Sequence, residues 1–558
     1  MALFPLATST STLFAIHYLL PLLLGLLRCV YRLTLHPLAK VPGPFLNRIS
    51  SWPDFLAAAS GDRHVRLWQL HEIYGPVVRI APNRVSFNTV GAYKAIYDGK
   101  ANVKNGLLHR TFIASNRGRV DILSAEREVH SRKRKIISRA FSEKALRMNE
   151  PAILENQRIW LEQVAKSDGD DAWSEPADMS RWLPYLTVDT VGEIGFSRHF
   201  GMTRHGRFRH LPQMFAGLVA TNFKFGHTPP LLQSLLNALF KSPIMSLFIP
   251  LEAQKFDKFT DDLIAERVAQ ELNQQKSANN DEPELRDDFV RLFRDHEGNL
   301  SKASVEEIKT EATTLLIAGS DTVATALSGV LFYLTHSPRC LARATAEIRS
   351  LFSTVEDIKR GPELSCARYL RACIDESLRL SPSVPGYLPR EVLPGGITIE
   401  GQDLPAGIEV GVPAYALHLN PEYYPRPFEY WPERWLEDTA NDSNISKRGD
   451  FKVDGAENNE STAPAQDPAL ARAAFAAFSA GSHSCAGKEL AYMEMTLLLA
   501  RILYLYDIKL AENETKRHVG EGQGPKGQWG RRMRGQYQIR DYFTGRSDGP
   551  WIQFRRRK

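Results

Sequence analysis

One cysteine set between two glycines is the residue of this chain with the clearest chemical potential. Cys485 lies between Gly481 and Gly487, and a helical pattern begins at Lys488. Glycine lets the backbone turn tightly and approach a flat partner closely, and the amides of a helix N-terminus favour a negatively charged sulfur. Zinc and iron–sulfur sites need several soft ligands. A lone thiolate fits haem iron, although a buried structural cysteine in a Gly/Ser loop is the plainer alternative.

A carboxyl–hydroxyl pair lies in the middle of a long predicted helix. The helical pattern runs from a capping box at Ser304 to about His336, and Pro338 ends it. At 1.5 Å per residue this helix is roughly 45–50 Å long, enough to cross a domain. Its middle, residues 318–322, reads Ala-Gly-Ser-Asp-Thr. A helical glycine costs about 1 kcal/mol relative to alanine, so it indicates either a ligand that needs the space or a polar break in an amphipathic helix.

Three further charged residues lie between these two segments. Glu376 and Arg379 are three positions apart, so they share one face of a predicted helix and can form an ion pair. Arg434 follows in the aromatic segment 428–435. Most such pairs decorate a surface and contribute little, so these charges indicate no chemistry when taken alone.

Together these segments resemble the cytochrome P-450 superfamily. The family's haem-binding loop, Phe-x-x-Gly-x-Arg-x-Cys-x-Gly, matches at Phe478, Gly481, Cys485 and Gly487, with His483 where most members have arginine. The resemblance implies haem b as cofactor, with the Cys485 thiolate as the axial ligand of its iron. It also implies that His483 meets a haem propionate; a histidine donates a hydrogen bond there but carries full charge only if its pKa is raised.

The resemblance implies roles for the other residues as well. Residues 318–322 match the family's Ala-Gly-x-Asp/Glu-Thr motif at every position, so Asp321 and Thr322 are implied to relay the protons that oxygen activation requires. Two further sets are implied, a structural charged triad on the cysteine side of the haem and a group of propionate partners. The triad is Glu376, Arg379 and Arg434, and the propionate partners are His130, Arg134 and Arg390.

The expected fold is mainly α with small β-sheets, the cytochrome P-450 fold. A chain of 558 residues usually forms several domains, but the matched residues run from His130 to Cys485 without a linker between them. One haem catalytic domain over 49–558 is therefore expected, with a flexible polar insertion at 438–468. Strand-like runs are predicted at 77–80, 84–87, 397–399 and 551–554. The family's substrate-pocket loops correspond to 102–121, 208–250, 384–388 and 542–544.

The N-terminal segment predicts a membrane anchor over 1–34, followed by a proline-rich, extended hinge over 35–48. Its apolar core has no Lys or Arg before Arg28, and basic residues follow it, which is typical of an uncleaved single-pass anchor with the catalytic domain on the cytoplasmic side. Five widely spaced cysteines favour a reducing compartment. The expected location is the endoplasmic reticulum membrane, so the three Asn-x-Ser sequons in the insertion should stay unmodified.

The sequence thus predicts a haem-thiolate monooxygenase that inserts one oxygen atom from O2 into a hydrophobic small molecule. The resemblance implies electrons from an NADPH-dependent cytochrome reductase, with cytochrome b5 as an optional second donor, and a role in fungal secondary metabolism. Benzoate-type aromatic hydroxylation is a narrower alternative. A haem-thiolate isomerase or dehydratase without external electrons, and a non-catalytic haem sensor or carrier, are the alternatives from other classes. The net charge of +6 suits an acidic redox partner or membrane as well as a solvated basic face, and no nucleic-acid partner is expected.

Overall fold

The computed structural model describes residues 19–115, 118–169, 171–230, 232–235, 251–276, 288–294, 300–436 and 467–558. Three predictions fall wholly or largely on other residues. These are the first half of the membrane anchor, the later part of the 208–250 loop, and most of the 438–468 insertion with its three sequons.

Helices form most of the described structure. In chain order they are α1 Leu20–Thr34, α2 Phe45–Ile49, α3 Trp52–Ser60, α4 Arg63–Tyr74, α5 Val90–Tyr97, α6 Leu107–Ser115, α7 Arg127–Ala140, α8 Glu143–Val164, α9 Met179–Phe196, α10 Met202–His205, α11 Leu211–Gly226, α12 Leu251–Lys276, α13 Lys302–His336, α14 Pro338–Leu351, α15 Pro362–Ser365, α16 Arg368–Leu380, α17 Ala414–His418, α18 Pro468–Ala474, α19 Lys488–Leu505 and α20 Glu514–Arg517.

Short strands form small sheets at the edges of the helical body. They are β1 Val77–Ala81, β2 Arg84–Phe87, β3 Val103–Asn105, β4 Ala177–Asp178, β5 Arg390–Val392, β6 Ile397–Ile399, β7 Gln402–Leu404, β8 Glu409–Gly411, β9 Tyr506–Leu510, β10 Arg540–Tyr542, β11 Thr544–Arg546 and β12 Trp551–Arg556. The largest sheet has the order β1-β2-β8-β5-β3, and only its β2–β8 pair is parallel. The other sheets are β4-β12-β9, β6-β7 and the hairpin β10-β11. The mainly helical fold with small sheets, and all four predicted strands, are confirmed.

The long helix α13 crosses the middle of the molecule. It has 35 residues, and its N-cap is Ser301, whose Oγ accepts a hydrogen bond from the Ser304 amide at 3.0 Å. The prediction that Ser304 caps the helix was wrong, because the earlier serine supplies the cap. Helix α9 packs along α13, and a Cβ atom added at Gly319 would lie 3.0 Å from Cγ2 of Val191. The glycine therefore serves close packing of the two helices, and its role in leaving space for a ligand stays a prediction.

Helix α1 is the described part of the predicted anchor. Six of its seven leucines are exposed and none of its residues is buried, so α1 presents an apolar surface that the described protein does not cover. Among the described helices only α13 is long and apolar enough to cross a membrane by composition, and most of it is buried inside the protein. The described part of α1 is too short to pass the same test by itself.

The segment after α1 is folded against the body instead of forming the extended hinge that its prolines predicted. Residues 35–41 make successive turns closed by backbone hydrogen bonds. Arg79 of β1, wholly buried, donates to the carbonyl of Arg32 at 2.8 Å, to that of Leu38 at 3.2 Å and to that of Pro82 at 2.9 Å. One side chain of the sheet thus holds the end of α1, the turns and the strand connection together.

Candidate active site

The cysteine loop is shaped by a glycine whose position no other residue could take. Gly481 has a φ of +65°, and a Cβ atom there would lie 2.0 Å from the carbonyl oxygen of Tyr97 in α5. The loop closes when the Cys485 amide donates to the carbonyl of Phe478 at 2.8 Å, and α19 begins at Lys488. Tight turning and close backbone approach, the two properties of glycine expected from the sequence, are both used here.

The thiol of Cys485 faces an internal cavity. The residue is exposed, and it is one of those that line the cavity, so the surface that it exposes lies inside the protein. Burial raises the pKa of the thiol, while the Gly487 amide and the positive charges of Arg134 and Lys488 act in the opposite direction. These groups are the kind that stabilise a metal-bound thiolate. The described residues contain no cluster of His, Cys, Asp and Glu that could hold a metal by itself.

The predicted triad is assembled and wholly buried. The Glu376 carboxylate accepts from Nε of Arg379 at 2.8 Å and from Nε of Arg434 at 3.0 Å. The amide of Trp431 at 2.9 Å and the indole N–H of Trp435 at 3.0 Å complete its set of donors. Burial by itself would raise the pKa of Glu376, but the two arginines lower it to about 2. The triad is therefore a charged network whose hydrogen-bonding capacity is filled by protein groups.

One histidine connects the triad to the cysteine loop. Arg379 donates to the backbone carbonyl of His418 at 2.8 Å, and Nδ1 of His418 lies 3.0 Å from the carbonyl of Arg379. Nε2 of the same ring accepts from the amide of Ala476 at 2.8 Å. Since Ala476 lies at the start of the cysteine loop and lines the cavity, the triad supports the loop through two rigid contacts.

The four predicted propionate partners come together at one end of the cavity. We call Arg134, Arg390, His130 and His483 the cation group; all four line the cavity. The rings of His130 and His483 stack, with centroids 3.8 Å apart and planes inclined by 27°. Arg134, on α7, donates to the carbonyl of Ser484, so that α7 is tied to the cysteine loop. Arg390 is the first residue of β5 and is buried.

The two imidazoles of the cation group are neutral at physiological pH. Burial, together with the charges of Arg134 and Arg390, lowers the pKa of His130 to about 4. Burial, Arg390 and the neighbouring groups lower the pKa of His483 to about 3. The histidine that replaces the expected arginine therefore donates a hydrogen bond without a charge, until an anion near it raises its pKa.

Protein groups leave the cation group without a balancing anion. Within the part of the chain that the structure describes, no carboxylate forms an ion pair with Arg134 or Arg390. Burial lowers the pKa of Arg390, and Glu126 raises it only from beyond contact distance. Buried cations are costly unless an anion pairs with them. The two carboxylates of haem, the cofactor that the resemblance implies, are anions of the right kind, so this end of the cavity fits them.

Helix α13 forms the opposite wall of the cavity. Ala318, Gly319 and Thr322 all line it. The Thr322 hydroxyl donates to the carbonyl of Ala318 at 2.7 Å, one turn earlier in the helix. Asp321 is partly buried and is not among the lining residues; its carboxylate instead accepts from the hydroxyl of Thr544. Burial raises the pKa of Asp321, against the effect of Thr544 and Arg546. Asp321 and Thr322 are thus adjacent in sequence, but only Thr322 lines the cavity, whereas the Asp321 carboxylate contacts Thr544.

The remaining cavity surface is mainly apolar. The cavity has a volume of about 360 Å³. Aliphatic and aromatic side chains from at least six elements or loops contribute to the lining, among them Phe112, Ile122, Val191, Leu218, Val384 and Phe543. All four predicted substrate loops contribute to this lining, although the part of 208–250 beyond 235 lies outside the described residues. Phe112 and Phe543 meet with ring centroids 5.4 Å apart.

A buried polar network holds the 102–121 loop against α13. The Asp121 carboxylate accepts from the hydroxyl of Thr314 at 2.5 Å, and the Ile122 amide donates to Glu311 at 3.2 Å. Lys133 of α7 pairs with Glu311 at 2.6 Å. Burial raises the pKa of Glu311 to about 7, although Lys133 acts to lower it. Sequence reasoning missed this network, because its members are ordinary charged residues that are far apart in the chain.

Two further cavity residues were missed. His109 of α6 is buried beside Arg390 and His483, and its Nδ1 has no hydrogen-bond partner among the described groups. Thr544 lines the cavity and contacts Asp321. Both lie in or beside loops predicted to shape the pocket, but a lone histidine or threonine carries no signal of its own. Only the folded structure brings them to the predicted residues.

Comparison with known proteins agrees with this geometry. Residues 42–525 match the family model described as Cytochrome P450. The chain is 34% identical over 542 residues to cytochrome P450 monooxygenase AKT7 of Alternaria alternata, with 96% of each chain covered. It is 33% identical to cytochrome P450 monooxygenase poxM of Penicillium oxalicum, over 99% of this chain and 96% of that one. It is also 33% identical to cytochrome P450 monooxygenase fscF of Fusarium equiseti, over 94% and 93% of the two chains.

Proposed function

Because the chain belongs to the cytochrome P450 family and is a haem-thiolate monooxygenase, we propose that it oxidises a hydrophobic small molecule of fungal secondary metabolism. The observation that carries this proposal is the largely apolar cavity between Cys485 and Thr322. The relatives reported above are monooxygenases of filamentous fungi. The family resemblance of the sequence also implied a fungal enzyme.

Haem bound here would supply the chemistry of dioxygen activation, with its iron held through Cys485. The Gly481 turn and the support from His418 fix the direction of the thiol. Arg134 and Arg390 bind the two carboxylates by charge-assisted hydrogen bonds, and His130 and His483 donate to them as neutral imidazoles or as cations stabilised by the anion. The Glu376, Arg379 and Arg434 triad has a structural role.

Asp321 and Thr322 handle protons on the α13 side of the cavity. Thr322 presents its hydroxyl at the cavity wall, where it can hold a water molecule beside the reacting oxygen. Asp321 is the acid that resupplies the proton after each transfer, and burial raises the pKa of its carboxyl, which is the direction that suits a general acid. Gly319 has no side chain, so this part of the cavity wall leaves room for oxygen and substrate to approach.

The electrons come from an NADPH-dependent cytochrome reductase, with cytochrome b5 as an optional donor. Exposed cations lie close to the cysteine loop, including Lys135 and Arg139 on α7 and Lys488 at the start of α19. A basic surface on the cysteine side favours an acidic electron-transfer partner and steers its approach. The location that we propose is the endoplasmic reticulum membrane, with a single anchor that includes α1 and a cytoplasmic catalytic domain.

An isomerase or dehydratase that uses no external electrons has less support. Such an enzyme would have no need of a protonatable carboxyl and a cavity-facing hydroxyl on adjacent residues of one helix. Benzoate-type aromatic hydroxylation remains the narrower substrate alternative. The arginines among the described lining residues are Arg134 and Arg390, so a benzoate carboxylate would have to compete for them with the cofactor's own carboxylates.

The first experiment is the carbon monoxide difference spectrum of the reduced holoprotein, with Cys485→Ser as test and Cys366→Ser as matched control. Cys366 is an exposed thiol away from the cavity, so its loss should leave the spectrum unchanged. We expect the strongly red-shifted Soret band of thiolate ligation in the wild type and in the control, and its loss in Cys485→Ser. A histidine-type spectrum in the wild type would overturn the assignment of the ligand.

The second experiment tests the reaction. The holoprotein, a fungal NADPH-dependent reductase and a panel of apolar small molecules should give product with matched consumption of NADPH and oxygen. Product formed without NADPH would instead favour the isomerase alternative, and haem binding with no turnover across the panel would favour a sensor or carrier.

A further inference from the structure

The acid of the α13 pair has its partner in the C-terminal hairpin. The Thr544 hydroxyl donates to Oδ2 of Asp321, across 223 residues of sequence. Thr322 cannot be that partner in this arrangement, because its hydroxyl is engaged by the carbonyl of Ala318 at 2.7 Å. Thr544 also lines the cavity, whereas Asp321 does not. Thr544 is therefore the residue that both contacts the acid through its hydroxyl and lines the cavity.

The hairpin is held firmly enough to position that hydroxyl. Thr325, one turn after Asp321, donates to the carbonyl of Gly545 at 2.9 Å. The Gly545 amide donates to the carbonyl of Ser383 at 2.7 Å, and the Ser383 hydroxyl donates to the carbonyl of Thr322 at 2.8 Å. These bonds close a ring between β11, the segment before β5 and α13. The position of Thr544 relative to Asp321 is thus fixed from both sides.

The backbone before Thr544 is in an unusual conformation. Phe543 has a φ of +81°, a region that a bulky residue enters only when its surroundings compensate the strain. Its amide donates to the carboxylate of Asp541 at 3.1 Å, and its ring meets Phe112. This turn lets the consecutive residues Phe543 and Thr544 both line the cavity, whereas an extended strand would direct their side chains to opposite faces.

A positive charge stands behind the contact. The Nε and Nη2 atoms of Arg546 are buried without hydrogen-bond partners among the described groups, and its guanidinium lies 5.4 Å from the centre of the Tyr542 ring. Arg546 and Asp321 attract each other across a distance longer than an ion pair. The arginine therefore favours the carboxylate form of Asp321 after it has given up a proton.

We propose that Thr544 is a positioning residue of the proton relay, holding the Asp321 carboxyl for proton delivery to the cavity, so that the C-terminal hairpin takes part in oxygen activation as well as in substrate contact. This inference rests on the proposed function, in which Asp321 is the relay acid. The proton count balances: Asp321 gives one proton toward the cavity and takes one from the bulk solvent through water, and Thr544 ends each transfer unchanged. Arg546 stabilises the transient carboxylate.

The test compares Thr544→Val, which keeps the shape and removes the hydroxyl, with Thr544→Ser, which restores it. Thr325→Val is the matched control, because it removes a hairpin tether without touching the Asp321 carboxylate. With the reductase and a turned-over substrate, we expect Thr544→Val to lower product formed per NADPH about tenfold, the typical effect of losing a hydrogen bond to a charged group, with hydrogen peroxide released instead. Thr544→Ser should recover most of the coupling, and Thr325→Val, which loosens the hairpin but keeps the Thr544–Asp321 contact, should lower it much less than Thr544→Val does.

A double variant distinguishes positioning from a general effect on folding. If Thr544 acts through Asp321, then adding Thr544→Val to Asp321→Asn should cause little further loss of coupling. Full additivity of the two losses would overturn the proposal. So would equal uncoupling in Thr325→Val and Thr544→Val, because hairpin placement alone would then explain the result.

An infrared measurement keeps the inference testable if no turnover is found. The carboxyl stretching band of protonated Asp321 is identified by its loss in Asp321→Asn and followed against pH. The Thr544 hydrogen bond lowers the pKa of Asp321, so Thr544→Val should move the titration of that band to higher pH, and Thr325→Val should move it much less. An unchanged titration would overturn the positioning role whether or not the oxidation itself is established, while absence of turnover with a shifted titration would count against the proposed function alone.

Discussion

Two buried charged regions flank the cysteine loop, and they differ in how their charge is balanced. In the triad, the Glu376 carboxylate lies between Arg379 and Arg434 and receives two further N–H donors. In the cation group, Arg134 and Arg390 face the cavity, and the described chain provides neither with an ion-pair partner. The first region is satisfied by the protein, whereas the second needs an anion from outside it.

This difference distinguishes a charged cluster with a structural role from one that binds a ligand, without comparison to any related protein. A buried ion network whose donors and acceptors are all filled has nothing left to offer a ligand, and removing one member leaves a buried charge uncompensated. Cations that converge on a cavity with no carboxylate paired to them repel one another, and an incoming carboxylate would relieve that repulsion. Changes in the triad should therefore disturb folding, and changes in the cation group should disturb cofactor retention.

The largest effect is expected from Glu376→Gln. Loss of the carboxylate leaves two buried guanidinium groups uncompensated, at a cost of about 3–5 kcal/mol, so we expect little folded protein and a much lower melting temperature. Asp375→Asn is the control; Asp375 is the neighbouring acid, and it pairs with Arg371 nearer the surface. Thermal unfolding followed by circular dichroism measures both. A Glu376→Gln variant that melts like the wild type would break the distinction between the two regions.

An intermediate effect is expected from Arg390→Gln. The fold should survive, because no protein carboxylate depends on this side chain, but a charge-assisted hydrogen bond to the cofactor is lost. We expect haem to leave about tenfold to a hundredfold faster, measured by transfer to an excess of a haem-scavenging apoprotein.

Arg110→Gln controls for loss of an arginine near the same strand, since Arg110 pairs with Glu391 at the surface. If Arg390→Gln unfolds the protein while its haem release per folded molecule stays at the wild-type rate, the cation group is a second structural network.

The smallest effect is expected from His483→Arg. This change puts a permanent charge where the structure has an imidazole whose pKa is lowered to about 3. A charged donor binds a carboxylate more strongly than a neutral one, so haem release should slow by about fivefold, roughly 1 kcal/mol. His199→Arg, at an exposed site, should change nothing. Faster release in His483→Arg would mean that the stacked imidazole pair itself, and not its hydrogen bond, is what the site requires.

The sequence predicted the parts of this site that are marked by local spacing. Spacing drew attention to Cys485 between its glycines and to Glu376 and Arg379 on one helical face, but their roles as iron ligand and buried triad came from the family resemblance. The cation group needed the family resemblance, because His130, Arg134 and Arg390 belong to elements far apart in the chain. Their convergence in the cavity agrees with the roles predicted for them, which remain to be tested by the variants above.

What could not be predicted depends on tertiary placement. Nothing in residues 318–322 indicates that Asp321 turns away from the cavity, since adjacent helical residues point in directions about 100° apart and only packing decides which one faces a ligand. Thr544 is an ordinary threonine until the hairpin folds against α13. The turns at 35–41 were missed for a similar reason: prolines favour extended backbone locally, but the buried guanidinium of Arg79 offers donors that favour a folded path.

The guanidinium of Arg79 also affects how the proposed anchor helix α1 is positioned relative to the rest of the protein. By donating to the carbonyls of Arg32 and Leu38 as well as to that of Pro82, Arg79 attaches the C-terminal end of α1 directly to the sheet. An anchor helix joined to its domain by a flexible linker would let the domain turn freely, so that any side of it could face the membrane. A helix that is attached to the domain fixes the orientation of that domain relative to the helix. The tilt of α1 in a bilayer would therefore set the height and angle at which the cavity meets molecules dissolved in the lipid.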